Sequence, residues 1–328
     1  MEKQYESKLD VIKTQEAITK VKQHFEKELL TRLNLIKVSA PLFIDSKTGL
    51  QDNLNGKERA VDFEVSGQYL EIVQSLAKWK RFALKQYGFE EGSGICTDMT
   101  AIRKDEKIDS IHSYLVDQWD WEKVISKEER NIDTLKAVVT AIYKAIRTTA
   151  RYIKKEYPVF SYKLAKSVYF ITAQELEDLY KDKSAKEREY LITKKYGTVF
   201  IIGIGDKLKS GKEHDFRSPD YDDWKLNGDL LIWHSKLGIP LEITSMGIRV
   251  DKESMISQVK KSMCEERLKQ KYHKMVINEE LPYTIGGGIG QSRLCMLLLE
   301  KMHIGEVQVG FWSKEELLKC QKMGIKVL

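Results

Sequence analysis

The chain has 328 residues, 42% apolar and including 15 tyrosines, enough to bury a large core and too apolar for a disordered or fibrous chain. Its formal charge of +6 comes from 55 basic against 49 acidic residues, so both signs are abundant and neither an anionic small substrate nor RNA is excluded. No apolar run approaches the roughly 20 residues that cross a bilayer, which argues against a membrane protein.

The start, MEKQYESKLD, is polar and lacks both the apolar stretch of a signal peptide and the Arg/Ser bias of a transit peptide. From about Asp10 to Leu35, Ile18, Val21, Phe25, Leu29 and Leu33 recur at three- and four-residue spacing, the pattern of an amphipathic helix. LIKVSAPLFI follows as an extended apolar stretch that Pro41 interrupts, as proline does at a strand edge or bulge. Val61 to Val73 predicts two short strands about a Ser-Gly turn, and SLAKWKRFALKQYGF a helix closed by Gly88. SGICTDMTAIRKDE and SIHSYLVDQWDWE predict strands on either side of a charged loop. Between about Lys127 and Glu156 lies the longest helical pattern, with Leu135, Val138, Ile142, Ile146 and Ile153 on one face. Strand-like SVYFIT, helix-like SAKEREYLITKKYG and strand-like TVFIIGIG then alternate. The last third holds strands in GDLLIWHS and PLEITSMGIRV, a helix up to Leu281, a loop TIGGGIG, a helix from Gln291 and a terminal helix after VQVGFW. Hairpin-like neighbours outnumber βαβ units, so the fold class is α+β.

Some patterns point to chemistry that the spacing rejects. TVFIIGIGDKL sets a strand before GxG, but Leu208 stands where a dinucleotide-binding turn needs its third glycine. Gly205 to Lys212 misses the P-loop spacing, and Glu213 stands where Ser or Thr should hold magnesium. The histidines contain no HExxH. Cys96, Cys264, Cys295 and Cys320 form no CxxC pair, and reduced thiols in a cytosolic protein are expected.

The sharpest signal is GGGIGQSR, Gly286 to Arg293, which satisfies GxGxGxxR. Its glycines let backbone pass close to a flat ligand, with an arginine on the first turn of the next helix. A flexible turn before a core helix explains it as well when it is taken alone. AIRKDE ends an apolar strand with Arg103 and follows it with acids, and a charged hairpin tip would do the same. Together with the N-terminal helix that runs into a strand at Pro41, these signals resemble, in order, motifs 1, 2 and 3 of the class II aminoacyl-tRNA synthetases.

The details narrow the resemblance. SLAKWK (Ser75 to Lys80) and VDQWDWE (Val116 to Glu122) are similar to the aspartate-reading segments of aspartyl- and asparaginyl-tRNA synthetases. TGLQDNL, RSPDYDDW, LNGD, SMGIR and GGGIGQSR together resemble the AMP-forming aspartate–ammonia ligases, over nearly the whole chain. The resemblance implies an antiparallel sheet flanked by helices, one catalytic domain over residues 1–328 with a helical and αβ insertion around 127–200, and a homodimer formed through motif 1. It implies L-aspartate, ammonia and ATP as substrates, Mg2+ as the metal, a cytoplasmic location, and no nucleic-acid or membrane partner.

The site residues follow by the same resemblance. Arg103 would contact the α-phosphate, and Arg293 would stack on adenine or reach the γ-phosphate, tasks that suit a planar guanidinium fork. Gln118, Arg217, Gly288 and Gly290 complete the ATP set, and Asp229 and Glu242 are the expected magnesium ligands. Lys80 and Arg249 would hold carboxylates, with Ser75 and Ser245 donating hydrogen bonds. Asp52, Gln118, Asp120 and Asp222 would surround ammonium groups, and Arg103, Lys80 and Asp52 form the catalytic set. Lys78, two residues before Lys80, is expected to point to solvent. Lys225 alone joins YDDW to LNGD, a loop at 224–227 shorter than the family often carries. Ser292 replaces the acid that precedes the motif 3 arginine in the tRNA synthetases.

Other readings are an aspartyl- or asparaginyl-tRNA synthetase catalytic domain, or a paralogue that keeps the fold as a binding module. The first normally carries an added RNA-reading domain ahead of motif 1, for which this sequence leaves no room. Retention of Arg103, Arg293 and the acids argues against the second.

Overall fold

A computed structural model describes residues 5–54 and 58–328, so the first four residues of the polar start lie outside it. Helix α1 (Val11–Leu33) begins where Asp10 accepts a hydrogen bond from the Lys13 backbone N–H at 2.8 Å and ends at Asn34, in the left-handed region at φ 57°. Its predicted apolar stripe is buried, along with Thr14 and Ala17. Pro41 separates β1 (Leu35–Lys37) from β2 (Phe43–Asp45), which belong to different sheets. β2 pairs with a hairpin of β3 (Asp62–Val65) and β4 (Gln68–Ile72), whose turn residues Ser66 and Gly67 both have positive φ, the geometry two-residue hairpins favour. Helix α2 (Ala77–Tyr87) stops at Gly88, φ 70°, as expected.

Strands β5 (Gly94–Ile102) and β6 (Leu115–Val124) form the expected hairpin. Helix α3 (Ile132–Glu156) starts later than the apolar periodicity suggests, because Asn131 caps it by accepting from the Thr134 N–H at 2.9 Å. Then come β7 (Tyr169–Thr172), α4 (Ala173–Leu179), α5 (Ala185–Tyr196) and β8 (Thr198–Ile202); α4 was not predicted, although Thr172 and Glu175 form its capping box. The chain closes with β9 (Asp222–His234), β10 (Ile239–Arg249), α6 (Lys252–Lys261), α7 (Lys271–Ile277), β11 (Thr284–Gly290), α8 (Gln291–Leu298) and α9 (Lys314–Met323).

Three sequence expectations are corrected here. TIGGGIG is not a loop but strand β11, seated between β6 and β10 in the middle of the sheet. Trp224 to Asn227 lies within one long strand, β9, rather than a free loop, although its pairing with β10 shifts register between Asp222 and Asn227. The helix expected up to Leu281 breaks into α6, a 3-10 turn and α7, with Met263 at φ 52° in the break.

The large sheet has eight strands in the order β1-β5-β6-β11-β10-β9-β8-β7, antiparallel except for the edge pairs β1/β5 and β7/β8. On one face, Phe25 of α1 packs 4.7 Å from Trp119 of β6, within a core that α3 and α8 complete. Burying one such side chain contributes about 1.5–3 kcal/mol. On the other face, α2, α6 and α7 cover Ile95, Met99, Ala101 and Val124. Among the described residues, no helix is long and apolar enough to cross a membrane. All four cysteines are free thiols; burial pushes Cys96 and Cys295 up to about 12, so they are inert packing groups.

Candidate active site

Period-two alternation in β6 divides its side chains between two tasks. Trp119 and Trp121 enter the core against α1, while Gln118, Asp120 and Glu122 point to the opposite face. Antiparallel register carries that face across the sheet, since directly opposed residues share a side. Asp120 opposes Gly288, Gly288 opposes Ser245, and Ser245 opposes Asp229. The adjacent row runs from Glu122 through Gly286 and Gly247 to Asn227. Above these rows lies a cavity of about 520 Å³, within the size range of small-ligand sites.

Nearly every residue expected in the site lines this cavity: Asp52, Ser75, Lys80, Arg103, Gln118 and Asp120 from the first half of the chain. From the second half come Arg217, Asp222, Glu242, Ser245, Gly288 and Gly290, with Arg249 and Arg293. Asp229 reaches it through Arg217, whose Nη2 donates to Asp229 Oδ1 at 2.5 Å and whose Nη1 donates to Ser245.

The inner wall is a closed set of ion pairs. Lys80 pairs with Asp120 and donates to the Gly287 carbonyl at 3.0 Å. Arg249 grips Glu122 with a two-pronged contact, Nε to Oε1 at 2.8 Å and Nη2 to Oε2 at 2.6 Å, and its Nη1 pairs with Asp222. Thr284 also donates to Glu122 at 2.7 Å. Burial pushes the Glu122 carboxyl up, but Arg249 outweighs it and holds the group below its ordinary value. Asp222 goes the other way: burial, helped by the charge of Glu122, exceeds the pull of Arg249 and Arg217. Within VDQWDWE the resemblance gives Glu122 no role, and the period-two alternation of that segment, which sets it on the face of Gln118 and Asp120, is the signal that finds it.

The glycines make room for this wall. A Cβ at Gly286 would sit 1.9 Å from Glu122 Oε2, and one at Gly288 would sit 2.3 Å from Gln118 Oε1. The expectation that the run lets a flat ligand approach is therefore corrected at Gly286, where the neighbour is a buried carboxylate. Gly288 and Gly290 do line the cavity.

The outer end is less complete. The buried Nε atoms of Arg103 and Arg217 have no hydrogen-bond partner among the described residues, and on the inner wall neither does Asp120 Oδ2. Arg293, on the first turn of α8, donates to the Glu242 carbonyl at 3.1 Å and lies 3.9 Å from its carboxylate. Burial raises Asp229 to about 6; Arg217 opposes this and Glu242 adds to it. Burial acts to lower Arg217, but Asp229 and Asp222 hold it above its ordinary value. Unsatisfied donors and an unsatisfied acceptor on residues lining one cavity suit a ligand that carries both charges.

Lys78 does not point to solvent. It is buried, 2.7 Å from Asp220 Oδ2 and 2.9 Å from the Gln51 carbonyl. Asp220 also takes His273 Nε2 at 2.9 Å and Arg267 at 3.4 Å. Burial raises this carboxyl, but the Lys78 charge outweighs it and holds Asp220 far below the usual range. Helix α2 is covered on two sides, by the sheet at Lys80 and by the segment around Asp220 at Lys78, which one amphipathic helix pattern does not reveal. Gln51, tied to that hub, also bonds the Asp52 N–H at 3.2 Å, and Ser75 Oγ donates to Asp52 Oδ2 at 2.7 Å. Ser292, on the first turn of α8, donates to the Asp117 carboxylate through both its N–H and its hydroxyl.

Comparison with known proteins gives one family by sequence and one fold by structure. The family model described as aspartate-ammonia ligase matches residues 12–324. An aspartate–ammonia ligase of Fusobacterium nucleatum is 55% identical over 325 residues, covering 99% of each chain. One of Ligilactobacillus salivarius is 54% identical over 330 residues, covering 99% of this chain and 98% of its own. Among solved structures, asparaginyl-tRNA synthetase from Pyrococcus horikoshii, complexed with asparaginyl-adenylate, matches with a TM-score of 0.66 at 16% identity, over 90% of this chain and 68% of that one. Aspartyl-tRNA synthetase from Entamoeba histolytica matches with a TM-score of 0.57 at 18% identity, over 91% of this chain and 57% of that one. Those two likenesses are of fold alone, the class II synthetase sheet. By the family model and by relatives more than half identical over almost their whole length, the chain belongs to the aspartate–ammonia ligase family.

Proposed function

We propose that this ligase makes L-asparagine from L-aspartate, ammonia and ATP through a β-aspartyl-adenylate, releasing AMP and pyrophosphate. One observation carries the reading: three arginines with incompletely satisfied or exposed surroundings share a cavity with a wall of ion-paired lysine, arginine and carboxylates. Adenylation asks for such a division. Negative charge gathers around the α-phosphorus while the carboxylate attacks, and fixed guanidinium groups stabilise it without reorganising. Arg103 and Arg293 would hold the triphosphate, Arg103 at the α-phosphate. Lys80 and Arg249 would orient the aspartate carboxylates, with Ser75 and Ser245 as donors, and Gln118 would sit between substrate and nucleotide.

The acids divide in the same way. Asp120 Oδ2, buried and unpartnered, suits an ammonium group or the entering ammonia, and Asp52, held by Ser75, is the further acid at the proton-accepting position. Asp229 and Glu242 fit a divalent cation, because a carboxyl raised by burial and by a second acid gains from a positive neighbour. Magnesium bound there would neutralise charge on the polyphosphate.

A homodimer is part of the proposal. Ile36, Leu42 and Phe43, 62%, 51% and 46% exposed, follow α1 as an apolar strip that a second copy would cover. The single-domain organisation with an insertion around 127–200, and a cytoplasmic setting, complete it. The test is product analysis with aspartate, Mg-ATP and ammonium, with and without tRNA. AMP, pyrophosphate and asparagine are expected in equal amounts and without tRNA. ADP in place of AMP, or a strict need for tRNA, would reject the adenylate ligase.

A further inference from the structure

Lys186 has no role in any of this, yet it lines the same cavity. It stands on the first turn of α5, within the stretch expected as an insertion, and reaches the mouth from the side of Asp215, Phe216 and Arg217. Its Nζ lies 3.1 Å from Asp215 Oδ2 and 3.1 Å from Glu189. The side chain is 71% exposed, so solvent screens these contacts, although burial, which acts to lower the ammonium, is outweighed by Glu189 and Asp215, which hold it above its ordinary value. Glu189 does not depend on it, because His214 Nε2 also lies 3.2 Å from that carboxylate. Asp215 likewise has Arg217 beside it as a second cation. If Lys186 swung away, Glu189 would keep its hydrogen-bonding neighbour His214 and Asp215 would keep the charge of Arg217.

The surroundings say which way it would swing. Arg217, Asp229 and Glu242 mark the end of the cavity where a cation and a polyphosphate belong, and Arg293 borders Glu242. Asp215 is near enough to both Arg217 and Asp229 to alter their charge balance, which puts Lys186 at that same end. A lysine on a long stem is a mobile point charge, suited to following a group that departs. We propose that Lys186 is a ligand of the terminal phosphates of ATP and of the leaving pyrophosphate, exchanging its carboxylate partners for phosphate oxygens when the nucleotide binds. The assignment rests on the adenylate reading.

The experiment is aspartate-dependent exchange of pyrophosphate into ATP, measured for the whole protein, Lys186→Met and Lys186→Arg. Lys186→Met is expected to raise KM for ATP and for pyrophosphate about tenfold, as the loss of one charge-assisted contact does, with KM for aspartate unchanged. Lys186→Arg is expected to recover most of the loss. Unchanged constants for ATP and pyrophosphate in Lys186→Met, or an equal rise for aspartate, overturn the assignment while leaving the adenylate intact. Absence of exchange in the unmodified protein overturns the adenylate reading, and this assignment falls with it.

Discussion

The two ends of the cavity are built on opposite plans. The inner wall pairs every charge it buries: Lys80 with Asp120, Arg249 with Glu122 and Asp222, each nearly inaccessible to water. The outer end leaves Arg103 and Arg217 with unpartnered Nε atoms and Glu242 at 40% exposure. A small zwitterion is recognised best by a wall whose charges are already fixed, since little is left to order on binding. A polyphosphate that must arrive, react and leave needs cations whose present partners can be exchanged. The difference teaches that a buried pair here sets geometry, whereas an exposed cation sets traffic.

The largest effect is expected from breaking the inner wall. Gly286→Ala places a methyl against Glu122 and Arg249 and should cost about 3–5 kcal/mol, because separating a buried pair strands its charges. A urea midpoint equal to that of the unmodified protein would mean that the wall has slack. Next comes the outer end: Arg293→Ala should lower pyrophosphate exchange by about a hundredfold. Thermal unfolding should hardly move, since Arg293 gives up its contact to the Glu242 carbonyl and a long, part-exposed ion pair to the same residue. A mutant with normal exchange would remove Arg293 from the phosphates.

Asp229 sharpens the comparison through pH. Its carboxyl is raised from 3.8 to about 6 in the folded state, so between those values the native protein holds more protons than the unfolded chain. Stability therefore falls as pH rises through that window and does not recover above it, by on the order of 3 kcal/mol. Asp229→Asn should lack this slope, which thermal melts across the window would reveal; parallel curves would contradict the raised carboxyl. Because magnesium would compete with that proton, the magnesium needed for half-maximal exchange should rise below about pH 6. The smallest effect belongs to the rim. Arg59, 73% exposed on Asp105, should be replaceable by Ala with no change in Tm, and a measurable drop would show that the mouth is stiffer than its exposure suggests.

Much of this was legible in the chain itself. The α1 stripe from Ile18 to Leu33, the Ser66-Gly67 hairpin and the Gly88 stop depend on neighbours a few residues away, so local periodicity and turn chemistry suffice. The motif residues were also legible, because their chemistry is tied to residue type: nothing else offers the fork of Arg103 or Arg293. What tertiary structure alone decided is which charges meet and which elements the motifs occupy. Arg249 and Glu122 lie 127 positions apart, and Lys78 and Asp220 lie 142 apart, so their pairing exists only once strand register and helix docking bring them together. TIGGGIG reads as a loop because glycine is locally permissive, yet between β6 and β10 the same missing side chains are the space that Glu122 and Gln118 fill. A glycine's local freedom is a property of its own backbone, whereas the volume it vacates has meaning only beside the atoms that take it.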